Sequence, residues 1–404
     1  MLDAGQVEAC ARYVVDQART VVAQYGVRPP GSDGETACCT HVQRELEAYC
    51  DGAVVMEPFT VSPKAFMGFQ YVTGGLFLLA LLLYFVSPLL AAGASLLAMI
   101  VVVQQLIRYK LLLDPFFPKA TSHNVIGRIA PAGPVKRRII LNGHPDAAYE
   151  WRWLYRFPGI FPLITGYTLV GQILLALSNF AAAGLYCAGL TAPLHWIGLA
   201  QWIAVPAVLL SIGFTTFRFV SPGANDNLSG TFMAVGIAKQ LKEAGIRLQH
   251  TELMIAITGS EEAGLRGAKA FVARHADGLR DVETIALALD TFRDLDHLVI
   301  YSKDLNGTLK HDPAVCQLLK NAGQAKGRDL PYGSIFLGSS DGTAFTQGGM
   351  RAAAFAAMDP APADYYHNRR DTPDNMDLNC LGVAIGIVAE AVRQYDEHGL
   401  PAVG

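Results

Sequence analysis

The chain has 404 residues, a formal net charge of −3, and 51% hydrophobic against 17% charged residues, with a mean hydropathy of +0.28. A balance this close to neutral gives no electrostatic basis for a nucleic-acid partner, and so apolar a composition excludes disorder. Seven scattered cysteines with no CxxC pair and no zinc-finger spacing exclude a cysteine metal site and read as free thiols of a reducing compartment.

The first residues, MLDAGQVEACARYVVDQ, are polar and helical and do not read as a signal peptide. VDQARTVVAQYG and DGETACCTHVQRELEAYC are expected helices, the second with Asp33 as its N-cap. Residues 65–107 then contain no Asp, Glu, Lys or Arg. Ser87-Pro88 divides this run into Ala65–Val86 and Leu89–Ile107, each near the roughly 20 apolar residues that a membrane helix needs. RRIILNG (137–143) is a buried strand. A second charge-free run, 157–217, holds two more apolar stretches on either side of LTAPL. GTFMAVGIAKQLKEAG (230–245) is an amphipathic helix stopped by Gly245. ELMIAIT (252–258), TIALAL (284–289), HLVIYS (297–302) and RAAAFAA (351–357) are short strands, interleaved with helices in LRGAKAFVARHA, HDPAVCQLLKNAG and LNCLGVAIGIVAEAVRQYDEHG. This alternation predicts a three-layer α/β/α sandwich with a mostly parallel mixed sheet.

The two charge-free runs predict four transmembrane helices in two hairpins. The bland reading of such runs is buried core helices or the interface of a homo-oligomer. Both hairpins return to the side they leave, and their flanks are basic: Lys64, Arg108, Lys110, Arg152, Arg156 and Arg218. The positive-inside rule then predicts an integral membrane protein, in contact with the lipid bilayer, whose soluble part is cytoplasmic. A four-helix transporter is disfavoured, because the spans hold no ionisable group except His195. The expected organisation is a discontinuous catalytic domain (1–64, 108–156 and 218–404) with hairpins at 65–107 and 157–217.

Ligand sites in such sheets form beyond the carboxyl ends of strands. His144-Pro145-Asp146 follows strand 137–143, Glu261-Glu262 follows strand 252–258, and Asp290 follows strand 284–289. GANDNLSG (223–230) opens a helix and carries Asp226, and Tyr366-His367 follows strand 351–357 after a loop. Alone, an HxD is most often a surface turn, a Glu pair a solvated helix start, and YYHN packing. Together they offer the donors of a metal site. Imidazole and carboxylate suit zinc. Two ions roughly 3.5–4 Å apart need a bridging carboxylate and about two terminal ligands each. Asp226 fits as the bridge, with His144, Asp290, Glu262 and His367 as terminals. Asp146 is placed to fix the His144 tautomer. Glu261, beside the ligand Glu262, is better placed as the general base.

The stretches YGVRPPGSDGE, SHNVIGRI, IILNGHPD, GANDNLSG, TGSEEAGLRGAKAF, GSSDGTAF and YYHNRRDTPDN, in this order, resemble the M28 family of metallopeptidases. The resemblance implies a di-zinc aminopeptidase fold. It implies two Zn2+ ions, one held by His144 and Asp290, the other by Glu262 and His367, with Asp226 bridging. It makes Glu261 the base acting on a water between the ions, lets Tyr366 donate to the tetrahedral oxyanion, and places Asp341 near the site. Ala268 and Gly342 depart from the family, which often has Ser and His there. The implied substrate is a peptide or amide. The competing functions are a single-zinc glutaminyl cyclase or an amidase of the same fold, and an inactive membrane receptor or scaffold.

Overall fold

The computed structural model describes residues 2–361 and 363–403. In chain order the elements are α1 (Ala4–Tyr25), α2 (Asp33–Tyr49), β1 (Val55–Val61), α3 (Ala65–Tyr84), α4 (Pro88–Val101), β2 (Ala120–Ile129), β3 (Arg137–Gly143), β4 (Tyr149–Trp151) and α5 (Arg152–Arg156). There follow α6 (Phe161–Cys187), α7 (Leu194–Gln201), α8 (Val205–Ile212), β5 (Thr215–Val220), α9 (Ser229–Glu243), β6 (Thr251–Thr258), α10 (Arg266–His275), β7 (Glu283–Phe292) and β8 (Leu298–Asp304). The last are β9 (Leu309–Lys310), α11 (Pro313–Ala325), β10 (Tyr332–Ser334), α12 (Asp341–Gln347), β11 (Arg351–Ala357) and α13 (Leu378–His398). They divide into two compact units, one of residues 1–63, 119–148 and 220–404, the other of residues 64–118 and 149–219.

The first unit is built on a nine-stranded sheet in the order β1-β2-β6-β3-β7-β11-β8-β10, with β9 on β8. Its centre, β6, β3, β7 and β11, is parallel; β1/β2, β2/β6 and β11/β8 are antiparallel. Strand periodicity sorts the side chains to two faces. Ile139 and Leu141 of β3 point with Leu253, Ile255, Leu287 and Leu289 to a core shared with α1, α2, α9, α11 and α13. Ile140 points the other way, with Met254 and Ala286, to meet Phe271 of α10 and Phe345 of α12. Each fully buried Leu, Ile or Phe contributes about 1.5–3 kcal/mol, so this alternation fixes the register on both faces. The expected mixed α/β/α sandwich is what forms.

Local differences have physical reasons. Ser32, not Asp33, caps α2: its backbone is extended and its side chain accepts from the Glu35 amide, which leaves Asp33 in the first turn. The strand expected at 284–289 runs on to Phe292, so Asp290 lies within β7. Gly230 opens α9 where a Cβ would sit 2.2 Å from the Leu289 carbonyl, so glycine lets the helix start against β7.

The second unit contains four helices long and apolar enough to cross a membrane, at Ala65–Tyr84, Pro88–Ile107, Pro158–Cys187 and Leu194–Ile212. The last is shorter than the apolar run, because Thr215–Phe217 leave the helix for β5, which pairs with β4. Phe77 and Leu81 of α3 pack with Ala98, Leu175 and Val208, while Ala91, Ala94 and Ala182 let α4 and α6 approach Ala80 and Tyr84. Asn179 donates to Ser95 Oγ (2.9 Å), and Gln201 donates to Asn179 Oδ1 and Ser178 Oγ (both 3.0 Å), which links α4, α6 and α7. The apolar window of the Pro158–Cys187 helix is only 17% buried, and its exposed side chains include Leu163, Leu169, Val170 and Leu174.

Candidate metal centre

Five chain segments meet beyond the carboxyl ends of β3, β6 and β7. His144 and Asp146 leave β3, Glu261 and Glu262 form a short helical turn after β6, and Asp290 sits near the end of β7. Asp226 lies in the loop before α9, and Tyr366-His367 in the loop after β11.

His144, Asp226 and Asp290 form one group of donor atoms, and Asp226, Glu262 and His367 a second; within each, all donor atoms lie within 4.8 Å of one another. Asp226 belongs to both. Its Oδ1 faces His144 Nε2 at 3.4 Å, and its Oδ2 faces His367 Nε2 at 3.1 Å. His367 Nε2 is 3.3 Å from Glu262 Oε1, and His144 Nε2 is 3.9 Å from Asp290 Oδ1. The edges of a tetrahedron with arms of roughly 2.0–2.1 Å are a little over 3 Å, so these spacings suit zinc. Glu262 Oε1 is buried and has no hydrogen-bond partner. Among the described residues none of these carboxylates pairs with a Lys or Arg. So dense a set of anionic oxygens and imidazoles, unbalanced by side-chain cations, fits a metal cation.

Electrostatics follow from the crowding. Burial pushes the Glu261 and Glu262 carboxyls well above their usual range, and neighbouring carboxylates add to the rise. Burial also pushes up Asp341, to about 7. Burial opposes ionisation of Asp226 too, but the imidazoles of His144 and His367 outweigh it and hold this carboxyl below its usual range. For His144, burial favours the neutral ring while Asp146, Asp226 and Asp290 favour the imidazolium; the carboxylates prevail and raise it. Glu261 Oε2 is 3.9 Å from His144 Nε2. Tyr366 stacks on the His367 ring, centroids 3.8 Å apart at 23°, and burial beside these acids pushes its phenol up.

The surrounding residues hold the loops in register. Asp146 Oδ1 accepts from the Glu261 amide and Oδ2 from the Glu262 amide, each at 3.0 Å. His144 Nδ1 is 3.5 Å from Asp146 Oδ1 and makes no hydrogen bond, so the main contact of Asp146 is with the Glu261-Glu262 turn. Thr231 donates to the His144 carbonyl at 2.8 Å. Asp371 accepts from the amides of Asn225 (2.8 Å) and Asp226 (3.1 Å), and burial pushes its carboxyl to about 7. Arg28 is fully buried and donates to the carbonyls of Pro145 (2.7 Å) and Gly223 (3.0 Å), which ties the His144 loop to the Asp226 loop. Glu35 takes the amide and hydroxyl of Ser260, just before Glu261, and burial raises it to about 8. A buried donor or acceptor left unpaired costs about 1–3 kcal/mol, so each clamp is strongly held.

The five expected ligands are thus brought together, with Glu261 and Tyr366 beside them. Asp294, the nearest competing acid in sequence, is bound elsewhere, to Arg293, the Asp359 amide and the Tyr365 hydroxyl. Asp341 starts α12 and accepts from Thr258. The room beside Gly342 is filled by His311, whose Cε1 would be 3.1 Å from a Cβ there. His311 is held by Thr346 and by Asp304, which also takes the Ser340 hydroxyl. The sequence reading gave no role to Arg28, Glu35, Asp371 or His311. The first three fall in stretches it singled out, RPPGSDGE and DTPDN.

Residues 208–392 match the model of peptidase family M28, a stretch that includes Asp226, Glu262, Asp290 and His367. No curated protein matches the chain. Among solved structures, the chain is similar to an aminopeptidase from Aneurinibacillus sp. strain AM-1, at 17% identity and a TM-score of 0.57 over 97% of this chain and 96% of that one. It is similar to BSAP, a zinc aminopeptidase from Bacillus subtilis, at 15% identity and a TM-score of 0.57, covering 96% and 95%. It is equally similar to a glutaminyl cyclase from an Acidobacteriales bacterium, at 16% identity and a TM-score of 0.57, again covering 96% and 95%. The chain thus matches peptidase family M28 over residues 208–392 and has a fold that zinc aminopeptidases and glutaminyl cyclases share.

Proposed function

We propose that the chain is a membrane-embedded zinc metallopeptidase that removes amino-terminal residues from peptides. The observation that carries this reading is Asp226, whose two oxygens face two separate donor groups. In this reading His144 and Asp290 would hold one zinc and Glu262 and His367 the other, with Asp226 offering a donor to each. Bound zinc supplies Lewis acidity toward the scissile carbonyl and lowers the pKa of water. Glu261 is buried beside this set and is no member of either donor group. Its carboxylate takes the proton of the attacking water and returns it to the leaving amine. Tyr366 stacks on His367, and in this reading its hydroxyl donates to the developing oxyanion. Asp146, Arg28 and Asp371 keep the loops from drifting.

The second reading is a glutaminyl cyclase that uses one zinc, favoured by the fold neighbours of that activity. The zinc-loaded protein in detergent is assayed on aminoacyl amides and on peptides with amino-terminal glutamine. Hydrolysis of the amides, lost with a chelator and restored by zinc, is expected. Cyclisation without hydrolysis replaces the reading with the second one.

The membrane part rests on four apolar helices whose outward faces are apolar. A helix satisfies its own backbone in hydrocarbon, and no charge of about 2.5–3.5 kcal/mol cost at mid-bilayer interrupts the spans. The protein is expected to stay in the membrane pellet through alkaline carbonate; release into the supernatant defeats embedding. Cys187, at the end of α6, is the one exposed cysteine among the described residues. With the catalytic unit cytoplasmic, it is labelled only from the opposite side; labelling only from the cytoplasm reverses the topology.

A further inference from the structure

We infer that the helical unit carries a binding surface for anionic phospholipid headgroups at one end of its four spans. This rests on the reading that the unit spans the membrane and adds a lipid preference to it.

The unit, residues 64–118 and 149–219, holds six Lys or Arg residues and two carboxylates, Asp114 and Glu150. The contacts bring the six cations, Lys64, Arg108, Lys110, Arg152, Arg156 and Arg218, to the same end. Lys64, at the start of α3, lies over the Phe217 ring at 5.5 Å, and Arg218 follows directly. The Arg152 amide donates to the Phe214 carbonyl at 2.8 Å, and Arg156 ends the same short helix α5. Phe66 of α3 packs on Tyr109 with centroids 4.7 Å apart, which puts Arg108 and Lys110 beside them. At the opposite end Tyr84 donates to the Leu194 carbonyl at 2.9 Å, and the turns 85–88 and 188–193 contain no charge.

All six cations are exposed, and among the described residues none pairs with a carboxylate. Three lie against aromatic rings instead: Lys64 on Phe217, Arg152 on Trp153 and Arg218 on Phe219. Their charged groups sit over the rings, 5.5–5.9 Å from the centroids, and stay exposed, a cation–aromatic pairing that suits a headgroup layer. Arg also matches phosphate with a planar fork of donors. A cluster of four to eight cations at the ends of membrane helices recognises anionic lipid by this chemistry. Aromatic residues occur at both ends, so charge alone distinguishes the two.

The test uses the full chain in neutral detergent, titrated with phosphatidylglycerol or phosphatidylcholine of the same acyl chains and followed by native mass spectrometry. The account expects phosphatidylglycerol to be retained about tenfold or more in preference, a preference lost in high salt. A variant combining Arg108→Gln, Lys110→Gln, Arg152→Gln and Arg156→Gln loses it, while Arg108→Lys with Arg152→Lys and Arg156→Lys keeps it. Equal retention of both lipids, or a preference that survives in the Gln variant, overturns the proposal and leaves embedding intact. Displacement of the lipid by inorganic phosphate at equal concentration overturns it in favour of a soluble anion. Retention of neither lipid also overturns the proposal, while embedding is decided separately by the carbonate extraction.

Discussion

Glu261→Gln keeps the fold and the zinc and loses turnover by about 10²–10⁴-fold, the usual cost of removing a general base. The amide has the volume of the carboxylate, so burial is preserved. The backbone N–H that Glu261 gives to Asp146 belongs to the main chain and survives the change. What is lost is the ability to accept a proton. Glu261 is outside both donor groups, so zinc content is expected to stay at the wild-type value. Near-normal turnover removes Glu261 from the mechanism, and loss of zinc makes it a ligand.

The larger effect is expected at Asp226. Asp226→Ala takes one donor from each group and leaves His144 with Asp290 on one side and Glu262 with His367 on the other. Catalytic zinc sites keep three protein ligands and one open position, so two-donor remnants bind weakly. Both ions are lost together, and turnover falls further than the roughly 10²–10⁴-fold of a missing base, to background. Asp290→Ala and Glu262→Ala weaken one ion each, so the three variants differ in zinc content before any rate is measured. The Asp226 amide still donates to Asp371, so the loop keeps its anchor. Retention of one full zinc by Asp226→Ala would show that the carboxylate is not shared.

How much of this was legible in the sequence depends on the range of the interaction. β3, β6 and β11 were legible because each is a short apolar run, and a buried parallel strand needs nothing more. β1 (VMEPFTV) was not singled out, because Pro58 interrupts it; it pairs only with β2, at the sheet edge where proline is tolerated. Candidate ligands at strand ends were legible because the chemistry limits the residue types and the topology limits the places. The clamps were not. Arg28 reaches Gly223 across 195 positions and Glu35 reaches Ser260 across 225, and no local pattern marks a buried Arg bound to carbonyls rather than to a carboxylate. Asp146 shows the same limit. Spacing put it beside His144, but the fold brings two amides from β6's loop within 3.0 Å, and they take its oxygens. His311, between β9 and α11, fills the room beside Gly342 of α12, a long-range contact that residue order does not reveal.

The central claim is that Asp226 serves two ions. It is tested most directly by the zinc-to-chain ratio of the purified full-length protein, from elemental analysis with independent protein quantitation. The account predicts two zinc ions per chain, falling to none in Asp226→Ala and to one in Glu262→Ala. A ratio of one in the wild-type protein, unchanged by Asp290→Ala, would contradict it.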